Sequence, residues 1–272
     1  MSVIGKLEQS LRRLRDAGEH GLIPYVTAGD PDLATTGEML VALSGAGVAA
    51  LEVGIPFSDP IADGPVIQQA SQRALAGGAT LRGILEMLQS RRSEIACPVV
   101  LFGYLNPIAA MGYREFAERA SAAGVDGVLL TDAPPGCEPD LEEALAALSI
   151  PIILLVAPTT SHERLSQLAS QARGFVYVIA RRGVTGSGSE QSEAAEQVAA
   201  IREHSDVPTY VGFGVSTHAD AERIWAYADG VVVGRALVAA IHGAPAGEHS
   251  AVAREFVLPI TRRASARPES PW

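Results

Sequence analysis

The chain has 272 residues, 47% of them apolar and only 5% aromatic, and carries a formal net charge of -10. That apolar content excludes a disordered chain, and an acidic balance with no basic surface argues against nucleic acid as a partner. The length suits two modest domains or one barrel of about 250 residues, and a core of Ala, Val, Leu and Ile suits layered strands beneath closely packed helices.

The start, MSVIGKLEQSLRRLRDAG, spaces Ile4, Leu7, Leu11 and Leu14 along one helical face and lacks the unbroken apolar run of a secretory signal. Eight short runs follow, at 22–28, 49–54, 98–104, 126–132, 151–158, 174–180, 208–214 and 229–234. Each is nearly all apolar, the pattern of parallel strands covered on both faces. Ala-rich amphipathic stretches lie between them, for example 32–47, 113–124 and 161–174. Thr80, Ser161 and Thr217 are predicted to cap helices, the last with Asp220 at capping-box spacing, and Gly47, Gly124 and Gly174 to end them.

A β-α unit repeated eight times predicts an α/β fold, a single (β/α)₈ TIM barrel with an extra N-terminal helix, spanning 1–272 with 264–272 as a frayed tail. A doubly wound open sheet is the rival, but it would carry a Gly-rich turn after its first strand, and AGDPD is not that fingerprint. No segment approaches the ~18 unbroken apolar residues of a membrane span. Cys97 and Cys137 form neither a CxxC pair nor a disulfide framework. The expectation is a soluble, cytoplasmic protein that does not engage a membrane.

In such a barrel the loops after the strands carry function. They are the long loop 55–64, an Asn106-Pro107 turn, Asp132-Ala-Pro-Pro, and RRGVTGSGS at 181–189, readable as a lid or a plain connector. Glu52 stands in the apolar run Leu51–Val53, where an ionised acid is costly unless paired or neutralised. Asp59 and Asp63 follow on the loop. Two readings stand here: a proton-transfer site, or a satisfied core Glu beside solvated acids. Gly183-Val-Thr-Gly186, Gly212-Phe-Gly214 and Gly234-Arg235 end the last three strands, where free backbone N–H groups cradle phosphate in this fold. Arg235 either adds a charged contact there or faces solvent.

The six histidines avoid the strand ends, no HExxH occurs, and no metal site is expected. There is no GxSxG elbow and no lysine at a strand end. Tyr25, Phe102, Tyr104, Tyr177 and Phe213 are candidates for an apolar pocket or for plain core.

LEVGIPFSDPIADGPVIQ (51–68) closely resembles the signature of the tryptophan synthase alpha subunit, as do IPYVTAGDP (23–31), Asn106-Pro107, GVDGVLLTD (124–132), GVTG (183–186), GFGVS (212–216) and DGVVVG (229–234). The matches run in order from the first strand to the eighth. The resemblance implies a lyase of tryptophan biosynthesis. Its reaction would be retro-aldol cleavage of indole-3-glycerol phosphate to indole and glyceraldehyde 3-phosphate, with no cofactor in this chain. Glu52 would be the general acid/base that protonates the ring carbon, and Asp63 would bind the indole N–H and balance the positive charge. Tyr177 would position Glu52, and Tyr25, Phe102 and Phe213 would flank the indole. Thr185 would belong to a closing loop, and Gly186, Gly214 and Gly234 would hold phosphate. Asp63, on a wetter loop, would stay ionised while burial keeps Glu52 protonated near neutrality.

The same resemblance implies docking on a pyridoxal-phosphate beta subunit through Pro56–Pro60, in an alpha2beta2 heterotetramer. A stand-alone indole-releasing lyase and a non-catalytic allosteric barrel are the alternatives. Three departures from the family pattern stand out: Arg235 where the family usually has Ser, Arg182 where it has a small residue before GVTG, and a less regular loop after the fourth strand.

Overall fold

The computed structural model describes residues 5–180, 189–212 and 214–261, with 189–192 as backbone only. In chain order its elements are α1 (Lys6–Asp16), β1 (Gly21–Thr27), α2 (Leu33–Ser44), β2 (Leu51–Gly54), α3 (Pro65–Ala76), α4 (Leu81–Arg91), β3 (Val99–Gly103), α5 (Leu105–Met111), α6 (Tyr113–Ala122), β4 (Gly127–Leu130) and α7 (Pro139–Ala147). They continue with β5 (Leu154–Val156), α8 (His162–Ala169), β6 (Val176–Ile179), α9 (Ser189–His204), β7 (Thr209–Gly212), α10 (His218–Trp225), β8 (Gly230–Val233), α11 (Arg235–His242) and α12 (His249–Thr261).

Seven of the eight strands fall inside the apolar runs read from the sequence, and β1 begins one residue before its run, at Gly21. They pair in parallel in the order β4-β3-β2-β1-β8-β7-β6-β5. The remaining seam is bridged by Val128 N–H to the Pro151 carbonyl at 3.0 Å and Ile153 N–H to the Val128 carbonyl at 2.8 Å. The architecture is therefore the expected eight-stranded parallel barrel ringed by helices. Thr80, Ser161 and Thr217 cap α4, α8 and α10, and Thr217 with Asp220 completes the capping box. One expectation changes: Asn106 and Pro107 lie inside α5, not in a turn. Proline fits a first helical turn because its missing N–H would have no intrahelical partner there.

Two apolar layers hold the fold. Outside the strands, Leu51, Val53, Leu101 and Val128 pack against helices through Leu40, Leu85, Phe116 and Val257. Inside, Ile23, Val100, Leu129, Ile153, Phe175, Tyr210 and Val232 fill the barrel, and Leu7 and Leu11 of α1 close that interior cluster. Strand side chains alternate between these layers. With Leu51 and Val53 outward, Glu52 is forced into the barrel. The frayed-tail expectation for 264–272 lies outside the described residues. Among the described residues, no helix is long and apolar enough to cross a membrane.

Candidate active site

Glu52 is 1% exposed, and neither carboxylate oxygen has a hydrogen-bond partner. It pairs in register with Tyr25 on β1 and Val100 on β3. Burial alone pushes its pKa up to about 8, because a charge without compensating donors is disfavoured there. A structural carboxylate of this burial would normally be hydrogen-bonded or ion-paired. Among the described residues no protein group satisfies Glu52, which favours the proton-transfer reading over that of a satisfied core acid.

Asp63 ends the long loop after β2 and is half-buried. Burial raises its pKa, opposed by a hydrogen bond from the Tyr104 hydroxyl to Asp63 Oδ2 at 3.0 Å. The loop is thus drier than the sequence suggested, yet the two acids differ in kind: one sealed and unpartnered, the other open on one side and hydrogen-bonded. Tyr25 and Tyr177 both feel the charges of Glu52 and Asp63, which together with burial raise their pKa values. Both carboxylates therefore border the space around these two tyrosines. Asp59, the other loop acid, is exposed.

Aromatic rings wall that space. Tyr25 meets Phe102 edge-on at 5.3 Å between centroids, and Phe102 meets Tyr177 at 6.5 Å. Two glycines make room for the tyrosines. A Cβ on Gly54 would lie 2.1 Å from the Tyr25 hydroxyl oxygen, and one on Gly212 would lie 2.0 Å from that of Tyr177. Gly54→Ala should therefore dislodge Tyr25, costing about 1–3 kcal/mol as overpacking does and lowering turnover at least tenfold (roughly 1.4 kcal/mol in barrier). Thermal melting measured beside turnover checks this. Wild-type turnover would show that the site tolerates a displaced Tyr25.

At the turns expected to cradle phosphate, Gly214 follows β7 with a left-handed φ of +69°. Gly234 is the N-cap of α11 and offers no side-chain cap, which leaves first-turn N–H groups for an anion. A Cβ on Gly234 would come within 3.6 Å of Tyr25, so this turn borders the aromatic wall. Arg235 is exposed at the first position of α11. Arg182, Thr185, Gly186 and Phe213, and residues 181–188 of the lid-or-connector segment, lie outside the described residues. No group of His, Cys, Asp and Glu able to hold a metal occurs among the described residues.

Two clefts, of about 940 and 740 Å³, lie elsewhere: one is lined by Arg15, His20 and Trp225, the other by Glu8 and Arg12, and neither contains Glu52 or Asp63.

A sequence-family model described as tryptophan synthase alpha chain matches residues 11–266. The chain belongs to the tryptophan synthase alpha chain family. The alpha chain of Alkalilimnicola ehrlichii is 49% identical over 242 residues, 88% of each chain, and that of Chromobacterium violaceum 50% over 230 residues, 84% of this chain and 88% of the relative. Among solved structures, tryptophan synthase subunit alpha from Legionella pneumophila superposes with a TM-score of 0.86 at 34% identity, over 96% of this chain and 98% of that one. A chain of M. tuberculosis tryptophan synthase in its aminoacrylate-bound form gives 0.84 at 32%, over 94% and 98%. An alpha-chain role, with the biosynthetic lyase class it carries, follows for this protein.

Within this alpha-chain site, sequence reasoning missed two partners. Thr27 donates to the Tyr25 hydroxyl at 3.4 Å, and the Ala62 N–H donates to the Tyr104 hydroxyl at 3.0 Å. Thr27 shares the inward face of β1 with Ile23 and Tyr25, so period-two alternation was the available signal. Nothing in the sequence pointed to Ala62, which takes part through its backbone.

Proposed function

We propose that this chain cleaves indole-3-glycerol phosphate to indole and glyceraldehyde 3-phosphate by a retro-aldol reaction that needs no cofactor of its own. The observation that carries this reading is Glu52, a sealed and unpartnered acid with a pKa of about 8. A neutral carboxylic acid at physiological pH is what protonation of a weakly basic ring carbon requires.

Glu52 gives its proton to the indole carbon that bears the glycerol chain, and positive charge appears on the ring nitrogen. Asp63 accepts the ring N–H and balances that charge. The bond between ring and chain then breaks, its electron pair returning to the ring, while the chain hydroxyl becomes the aldehyde carbonyl. The hydroxyl proton goes to the Glu52 carboxylate, which restores the acid. Protons and electrons balance without an external reagent. Tyr25, Phe102 and Tyr177, with Phe213, flank the ring in this scheme. Gly234, Gly214 and Gly186 receive the phosphate, with Arg235 as an added cation and Thr185 in the closing loop.

In the same reading the protein works in the cytoplasm on a tryptophan synthase beta subunit carrying pyridoxal phosphate, in an alpha2beta2 assembly. The loop that presents Asp63 carries Pro56–Pro60, the docking segment in this reading, and exposes Ile61, 87% accessible, beside it. The test is release of indole from indole-3-glycerol phosphate by the purified chain, alone and mixed with a beta subunit. Indole formation that rises on mixing, with co-elution of the two chains, is the expected result. No indole under either condition would overturn the lyase reading.

A further inference from the structure

We infer that Tyr104 is a positioning residue for this reaction, whose hydroxyl aims the Asp63 carboxylate and leaves its second oxygen for the substrate ring. The inference rests on the reading of Asp63 as the group that meets the indole N–H.

The backbone around Asp63 is already fixed. Asp63 N–H donates to the Pro60 carbonyl at 3.1 Å, and Gln68 Nε2 donates to the Asp63 carbonyl at 2.8 Å. Neither bond sets the side-chain torsions. Among the described residues, the hydrogen bond that reaches the carboxylate is the one from Tyr104 to Oδ2. The tyrosine hydroxyl accepts from the Ala62 N–H at 3.0 Å, so its single hydrogen is directed to Asp63. Tyr104 is itself held firmly. It is 2% exposed, stands just before α5, and packs on Phe57 of the same loop at 5.1 Å between ring centroids.

A neutral donor suits this task. A lysine or arginine would also favour the ionised acid, but it would cancel the negative charge needed opposite the developing cation. A phenol favours ionisation and leaves the charge in place. The Tyr104 hydroxyl is fully engaged by protein groups, so its contribution runs through Asp63 and not through a contact of that hydroxyl with the substrate. The rival reading is a tether: Tyr104 secures the loop through Ala62 and leaves the carboxylate's chemistry alone.

Tyr104→Phe keeps the ring and removes the bond. The expected result is a fall in kcat of about tenfold to a hundredfold, the range for a hydrogen bond to a charged group, with KM little changed. The acidic limb of the kcat–pH profile should move to higher pH, because Asp63 loses the donor that favours its ionised form. In an Asp63→Asn background the same substitution should change kcat less than about twofold, since no carboxylate remains to be aimed. Gln68→Leu, which loosens the loop backbone alone, should lower activity without moving the acidic limb. The inference is overturned if Tyr104→Phe leaves that limb in place, costs as much in the Asp63→Asn background, or is matched in its pH shift by Gln68→Leu. If Asp63→Asn itself keeps wild-type turnover, the role of Asp63 fails and this inference falls with it. A crippled Asp63→Asn beside an unshifted Tyr104→Phe sinks this inference alone.

Discussion

Glu52→Gln is expected to lower indole release by about 10²–10⁴-fold, the usual worth of a positioned general acid–base group. The amide matches the carboxyl in shape but has no proton to give. Because neither Glu52 oxygen is hydrogen-bonded, the exchange breaks no existing contact, so the variant should fold. The wild type should show a basic limb in its rate profile near the raised Glu52 pKa of about 8, where the acid form disappears. Stability carries the same signature. The folded protein keeps a proton that the unfolded chain releases near the ordinary glutamate value. The stabilisation is therefore complete below that value and is lost as pH rises through about 8. Melting temperatures from about pH 5 to about pH 9 should fall more steeply for wild type than for Glu52→Gln. Near-normal turnover in the variant, or a wild-type rate that ignores this pH range, would remove Glu52 from the mechanism.

The barrel was readable because its two layers impose a pattern on the chain. Parallel strands covered on both faces are nearly all apolar, so Glu52 announced itself as the one carboxylate inside such a run, where Asp126, Asp132 and Asp229 stand only at run ends. Helix ends were equally open to reading, since Thr217 and Asp220 satisfy backbone groups within one turn of themselves. Asn106-Pro107 misled because the pair marks turns in isolation, whereas here it lies in the opening turn of α5, where proline costs nothing.

What could not be read is what depends on register and on contacts across the barrel. Asp63 and Tyr104 are 41 positions apart, and nothing local to either announces the other. Likewise, Gly54 reads as an ordinary strand-ending glycine until strand register sets it beside the Tyr25 ring. The half-burial of Asp63 belongs with these. A loop rich in Gly and Pro reads as wet, but Tyr104 and Phe57 pack it down against the barrel mouth. Composition describes a loop's preferences, and tertiary packing decides its solvation.

Asp63→Asn should separate binding from catalysis. In the ground state the indole is neutral, and its N–H can donate to an amide oxygen nearly as well as to a carboxylate, so KM should move little. After protonation at carbon the ring is cationic, and only the carboxylate supplies an opposing charge in a site walled by aromatic rings. The interaction is thus much stronger in the transition state than in the bound substrate, the condition for an effect on kcat. A loss of about 10²–10³ in kcat, comparable to removing one preorganised electrostatic contact, is expected. Asp63→Glu keeps the charge but lengthens the side chain past the Tyr104 hydroxyl, and should recover only part of the rate. If Asp63→Asn raised KM while sparing kcat, the carboxylate would be gripping the substrate uniformly. The positive charge assigned to the reacting ring would then have no counterpart in the protein, and protonation at carbon would have to give way to another order of events.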